Sequence, residues 1–222
     1  MRVEWHGQSA FTLEGDEGTV FVDPFGDLSP MAERGITFDY PPIDADGIDL
    51  VLVTHEHLDH NGVDAIAGDP AVLRATAGRH ASPIGEVVGV ASEHDRAAGT
   101  ERGPNTIFVF TLGGVRVAHF GDFGQAGLRP EQREAIGDVD LVILPVGDGP
   151  TIGAEQAARI VEELSPRWVV PMHYRTPKVG FLETEEAFLE RMGQIERMDA
   201  PGFDTGDLPD AEGPLTVVPA AP

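Results

Sequence analysis

The sequence predicts an α+β protein in which two β-sheets lie together with helices packed outside them, as one domain over residues 1–222. Three observations predict it. Short β-rich runs separated by glycine-containing turns open the chain. Continuous apolar runs of strand length then alternate with helical spacings, and no repeat or linker divides the whole. With 41% hydrophobic residues in 222, the chain has enough apolar material for a sizeable core.

Val3-Glu4-Trp5, Ala10 to Leu13 and Thr19 to Val22 read as an antiparallel meander, ended by Asp23-Pro24. The stretch 25–47 is rich in Pro, Gly and Asp and has no period, the mark of a long loop that is functional or mobile. Ile48 to Val53 is apolar throughout, as in a strand buried on both faces, and Val63, Ile66 and Ala67 follow a helical spacing. Val87 to Ala91, Thr106 to Leu112 and Val115 to Phe120 read as strands, the last two joined by the hairpin signal Gly113-Gly114. Val139 to Leu144 is another buried strand. Ala157, Val161 and Leu164 mark a helix stopped by Ser165-Pro166, and Trp168 to Met172 is a strand. Thr184 to Met198 reads as a helix with Glu185 and Glu186 in its first turn, where the helix dipole favours acids. Leu215 to Val218 closes the sheet.

Charge sets the chain apart. There are 38 Asp+Glu and 15 Lys+Arg, a formal net charge of −23, and Lys178 is the single lysine. The acids run from Glu4 to Glu212 without a block, which reads as a halophilic surface adapted to concentrated salt rather than a docking patch. Zero cysteines exclude disulfides, thiolate metal sites and a cysteine nucleophile. No basic stripe points to nucleic acid. No apolar run approaches the roughly 18 residues of a membrane span, and the start, MRVEWHGQ, lacks a signal-peptide stretch, so a cytoplasmic location is expected.

Chemistry concentrates in Thr54-His55-Glu56-His57-Leu58-Asp59-His60, directly after the apolar run at 48–53. In an extended turn His55 and His57 point the same way and can grip one cation. A helix beginning near Asp59 would aim Asp59 and His60 at a second. Glu56 points away and reads as supporting. Imidazole and carboxylate donors suit zinc, manganese or iron. Further donors are expected at other strand ends, where sheets present functional groups: His94, Asp122 and His173 each follow an apolar run. Asp23, at the end of a strand, is a candidate to orient a ligand histidine through its other ring nitrogen. His119 stands at the opposite strand parity to Asp122 and reads as packed or hydrogen-bonded, and His6 and His80 read as structural or exposed rather than as ligands.

The H-x-H-x-D-H run at His55, His57, Asp59 and His60 resembles the metallo-β-lactamase superfamily of metallohydrolases. Trp5-His6-Gly7-Gln8-Ser9, Asp23-Pro24, Gly121-Asp122, Leu144-Pro145-Val146-Gly147 and Pro171-Met172-His173-Tyr174 resemble the branch that holds the UlaG-like lactonases. The resemblance implies a four-layer αββα sandwich with the site at one edge of the two sheets. It implies two divalent metal ions, zinc foremost with manganese or iron as alternatives. His55, His57 and His94 would hold the first, Asp59, His60 and His173 the second, with Asp122 bridging. Gln8 stands where many relatives have a histidine, and Asp148 follows Gly147 where a second glycine is common.

The expected function is hydrolysis of a small ester, lactone or phosphoester by a metal-bound hydroxide. Asp59 and Asp122 serve as catalytic carboxylates that leave the centre net positive. An iron-dependent oxidoreductase or dioxygenase on the same fold is the alternative. Tyr174 is a candidate oxyanion donor, and Arg175 and Lys178, following His173, are candidates to attract an anionic small-molecule substrate. The sequence assigns no oligomeric state.

Overall fold

Alternating burial and glycine turns build the first sheet. The computed structural model describes residues 1–33 and 35–222 and opens with β1 (Arg2–Gly7), β2 (Ala10–Gly15) and β3 (Gly18–Val22), paired antiparallel as the expected meander. A short helix, α1 (Ser29–Ala32), interrupts the long loop. Then β4 (Leu50–Val53) and β5 (Ala71–Arg74) extend the sheet in parallel beyond β3. All four residues of β4 are buried, which explains why its sequence is apolar without alternation.

The second sheet begins with β6 (Gly78–Ser82), β7 (Gly85–Glu93), β8 (Pro104–Leu112) and β9 (Val115–His119), successive antiparallel neighbours. Gly113 and Gly114, at φ +54° and +73°, form the tight β8–β9 turn. After α2 (Pro130–Ile136) comes β10 (Leu141–Pro145), and after α3 (Ala154–Leu164) comes β11 (Trp168–Met172), each parallel to the strand before it. The chain ends with α4 (Glu186–Leu189), β12 (Gln194–Arg197), β13 (Gly202–Asp204), which returns to pair with β1, and β14 (Leu215–Val218). Strand orders are β13-β1-β2-β3-β4-β5 and β12-β14-β11-β10-β9-β8-β7-β6.

Three expectations change. The predicted helix over 184–198 shrinks to α4, because Gly193 breaks it and Gln194-Ile195-Glu196-Arg197 alternates and pairs with β14. The spacing of Val63, Ile66 and Ala67 yields only a 3₁₀ turn over Val63–Ala65. Ile66 is already extended, and Gly68 and Pro70 follow too soon for a helix. Finally, β14 does not close the sheet but lies between β11 and β12.

The core follows the pleat. Val20, Val22, Leu50 and Leu52 point between the sheets and meet Phe108, Phe110, Ile143 and Val170. Their alternating neighbours Phe21, Val51 and Val53 point outward to a second cluster with Phe25, Tyr40, Ile48 and Val179. Helices α2 and α3 cover the outer face of the eight-stranded sheet, α3 burying Ala157, Ile160, Val161 and Leu164. The outer face of the six-stranded sheet is covered by the segment around 25–47, the 3₁₀ turn and the loop near Val179 and Leu182. The result is a four-layer αββα sandwich with one outer layer mostly loop. Among the described residues no helix is long and apolar enough to cross a membrane.

Candidate metal centre

Seven side chains meet at one edge of the sandwich, delivered by the C-terminal ends of four strands. His55, His57, Asp59 and His60 follow β4 of one sheet, while His94, Asp122 and His173 follow β7, β9 and β11 of the other. No helix starts at Asp59. Instead the His60 N–H donates to the His57 carbonyl at 3.0 Å in a tight turn. Three donor groups result, each with its ligand atoms within 4.8 Å: His55 with His57 and His94, His55 with His60 and Asp122, and Asp59 with His60 and His173. Asp122 sits among them. Its Oδ2 lies 3.1 Å from His94 Nε2 and 3.3 Å from His173 Nε2, and its Oδ1 lies 3.4 Å from His60 Nε2. Six of the seven are buried, and His57 faces solvent.

The surroundings fix which nitrogen three of the five imidazoles offer. Asp23 accepts from His60 Nδ1 at 2.9 Å, from Thr54 Oγ1 at 2.7 Å and from the Thr54 N–H at 2.7 Å. That leaves His60 Nε2 facing the carboxylates, a buried nitrogen with no hydrogen-bond partner. Thr54 Oγ1, having given its proton to Asp23, accepts from His55 Nδ1 at 3.1 Å, and His94 Nδ1 donates to the Pro150 carbonyl at 3.1 Å. In each case the other nitrogen is the one turned to the cluster. Ser9 Oγ donates to Asp122 Oδ1 at 3.2 Å.

Burial and neighbouring charges shift these groups in different directions. Burial, then the neighbouring His60, pushes His55 far below the usual imidazole range, and burial with His94 lowers His57. Burial alone would lower His60, but the carboxylates of Asp122, Asp59 and Asp23 outweigh it and hold it well above the usual value. Burial alone would raise Asp122, but His173 and His60 outweigh it and keep the carboxyl well below the usual range. A set of five imidazoles and two carboxylates, all but His57 buried, with an unpartnered nitrogen aimed into it, fits divalent cations.

Backbone geometry is demanding around this edge. His173 (φ +49°), Asp23 (+51°), Gln8 (+48°) and Asp148 (+54°) are non-glycine residues in the left-handed region. The Gln8 carbonyl receives the His173 N–H at 3.3 Å and Trp5 Nε1 at 3.0 Å. Gly121, at φ +54°, has no room for a side chain: a Cβ would lie 2.5 Å from Asn105 Oδ1 and 2.6 Å from Thr54. Asn105 in turn accepts the Asp122 N–H at 3.1 Å and donates to the Phe120 carbonyl at 2.8 Å.

Other candidates lie elsewhere. The buried Tyr174 ring packs on Trp5, centroids 5.3 Å apart, and burial pushes its hydroxyl upward. Arg175 donates to the Leu182 carbonyl and lies 3.7 Å from Glu183, and Lys178 lies 3.9 Å from Asp39. None of the three lines the cavity of about 350 Å³ that opens over the cluster. Glu56 is exposed and paired with Arg74. His119 is buried, donating from Nε2 to the Ser9 carbonyl at 3.0 Å and accepting the Gly121 N–H at Nδ1. His6 bonds Thr12, and His80 bonds the Ala77 carbonyl. Sequence reasoning missed Ser9, Thr54, Asn105 and Arg102. The first three touch the cluster or its supports, and Arg102 lines the cavity. Only Thr54 carried a signal, its place between the apolar strand and His55.

Residues 2–173 match the family model described as the beta-lactamase superfamily domain. A UPF0173 metal-dependent hydrolase of Methanosphaera stadtmanae is 31% identical over 208 residues, covering 79% of this chain and 85% of the relative. Among solved structures, a protein of Thermotoga maritima assigned to the Zn-dependent hydrolases of the metallo-beta-lactamase superfamily is 27% identical. It covers 99% of both chains at a TM-score of 0.77. The diiron β-hydroxylase CmlA of Streptomyces venezuelae shares the fold at 17% identity and a TM-score of 0.53, over 78% of this chain and 44% of its own. A histidine- and aspartate-lined edge between two sheets, and matches spanning most of the chain, lead to one conclusion: the protein belongs to the metallo-β-lactamase superfamily and is one of its metal-dependent hydrolases.

Proposed function

We propose that this chain is a single-domain hydrolase that holds two divalent cations, zinc foremost, and cleaves a small ester, lactone or phosphoester. His55, His57 and His94 would hold one cation and Asp59, His60 and His173 the other, with Asp122 between them. The observation that carries this reading is the Asp122 carboxylate, which faces His94 and His173 with one oxygen and His60 with the other. When bound, such cations supply Lewis acidity that makes water nucleophilic near neutral pH and polarises the substrate oxygen. The protein's own groups do the rest. Asp23 fixes the ring of His60 and its tautomer, as Thr54 does for His55. Ser9 steadies Asp122. Asp59 reaches the cavity and accepts the proton released from the attacking water. No serine or cysteine nucleophile is needed. The T. maritima relative's assignment supports zinc, the acid-rich surface supports action in a salty cytoplasm, and the motifs around Trp5, Gly121, Leu144 and Pro171 support the UlaG-like branch.

The test is metal quantification after purification in high KCl, then a panel of esters, lactones and phosphodiesters. Stoichiometric zinc, hydrolysis abolished by chelation, and loss of both metal and activity in Asp122→Ala are the expected results. Full activity in that variant or in the chelated protein would overturn the reading. Iron together with substrate-dependent oxygen consumption would replace it with the redox chemistry that the fold shared with a diiron hydroxylase brings to mind.

A further inference from the structure

The cavity over the cluster has a floor of histidines and aspartates, but its walls are of a different kind. Met31, Ile36, Leu58, Pro150 and Phe181 surround it, and one cationic side chain, Arg102, joins them. Leu58 and Phe181 are 41% and 46% exposed, two of only four large hydrophobic residues so exposed among the described residues. Large apolar side chains held in water at a cavity mouth mark a surface built to meet an apolar ligand. Phe181 is braced by Phe38 at 5.8 Å between ring centroids, so it is held in place rather than loose.

Arg102 is unusual for this chain. With 38 carboxylates to choose from, most other cations pair with one: Arg74 with Glu56, Arg129 with Glu93, Arg197 with Glu185 and Glu186. Arg102 makes no side-chain hydrogen bond or ion pair among the described residues. Yet its backbone is firmly placed. Asp95, next to His94, folds the loop back on itself by accepting the N–H groups of Ala97 (2.7 Å), Gly99 (2.9 Å), Glu101 (3.1 Å) and Arg102 (2.8 Å). A buried carboxylate thus anchors the arginine's backbone at the cavity edge, and the guanidinium has no protein partner among the described residues.

We infer that Arg102 is the anion-recognising residue of this pocket, and that the substrate is a small molecule joining an apolar body to an oxyanion, a carboxylate or a phosphate. The inference rests on reading the cluster as a hydrolytic site and narrows its substrate class. The guanidinium fork takes a planar or tetrahedral oxyanion through two parallel bonds. The apolar wall takes the body, and the scissile group is left over the floor. Asp95 is the positioning residue for Arg102.

The test uses the metal-loaded protein. Calorimetry with phenylacetate, phenylphosphonate and the neutral phenylacetamide reads binding directly, and KM for 4-acetoxybenzoate against phenyl acetate reads it in turnover. Arg102→Ala should weaken the preference for anion over neutral analogue roughly 10–100-fold in both Kd and KM ratios, as for loss of a charged hydrogen bond. Arg102→Lys should recover part of it. Asp95→Asn should shift the same KM ratio in the same direction by less, which general loosening of the fold would not do. A larger loss for phenylphosphonate than for phenylacetate identifies phosphate as the anion, and the reverse identifies carboxylate. Ratios unchanged in Arg102→Ala overturn the assignment while leaving hydrolysis standing. Arg102-dependent anion binding without turnover of any ester overturns the hydrolase reading and leaves Arg102 standing.

Discussion

The two outer faces of the sandwich are covered in different ways. Over the eight-stranded sheet lie α2 and α3, whose apolar stripes fill the groove with Ile136, Ile160, Val161 and Leu164. Over the six-stranded sheet lie loop segments, with Phe25, Tyr40 and Val179 filling the same role. Helices satisfy their own backbone and need only a packed stripe. Loops leave side chains free to face outward, and it is this loop-covered side that contributes Met31, Ile36 and Phe181 to the cavity wall. Coverage by helices therefore serves stability, and coverage by loops serves recognition.

Substitutions on the two sides should separate these roles. The largest effect is expected on the helical side: Ile160→Ala should cost about 2–5 kcal/mol in urea unfolding, the range for a buried aliphatic truncation, with kcat/KM unchanged at temperatures where the protein is folded. A large loss of kcat/KM there would break the division. Between the sheets, His119 should make the protein acid-sensitive. Burial, partly opposed by Asp23, lowers its pKa to about 4 from an unperturbed 6.5. Its neutral form alone suits a ring that donates at Nε2 and accepts at Nδ1. The unfolded chain then binds a proton that the folded chain refuses, so stability is full above pH 6.5 and falls as pH drops toward 4. The loss is about 3 kcal/mol, from roughly 1.4 per pKa unit. Urea titrations at pH 7 and 4.5 measure it, and His119→Gln should remove this share of the pH dependence. On the loop-covered side, Asp23→Ala should weaken metal binding roughly 10–100-fold, as outer-sphere partners of ligand histidines do, measured by competition with a chelator. Smallest in stability is Phe181→Ala, expected within about 0.5 kcal/mol by thermal melting but raising KM several-fold for aromatic esters. An unchanged KM would remove Phe181 from the wall.

The same contrast decides what could be read from the sequence. The floor was legible because its donors cluster just past the ends of apolar strands: His55 after Leu50–Val53, His94 after β7, His173 after Trp168–Met172. The helix α3 was legible from its spacing and its stop at Ser165, which adopts φ +46° before Pro166. Even α2 carried signals that went unread, Pro130 in its first turn and Gly137 at its end. The walls were not legible. Arg175 and Lys178 drew attention through their nearness to His173 in sequence, yet the left-handed backbone at His173 turns the chain, so that Tyr174 packs inward and Arg175 reaches Leu182. Arg102 stands in Gly-Thr-Glu-Arg-Gly, a run with no apolar period to place it, and only the bonds to Asp95 give it a fixed place. The short edge strands β5 and β6 are largely exposed, so they lack the burial pattern that betrays a strand.

The left-handed backbone at Gln8, Asp23, Asp148 and His173 has a consequence for how the protein tolerates mutation. Each such residue costs on the order of 1 kcal/mol or more, so four of them together are comparable in size with a sizeable share of the roughly 5–15 kcal/mol of net stability of an average domain. Relieving that cost at a position away from the metal cluster is one route to a more stable protein. A lineage of this protein would accept core changes only where stability was first gained elsewhere, and consensus-type stabilisation of α2 or α3 is the natural place to gain it before the catalytic edge is redesigned.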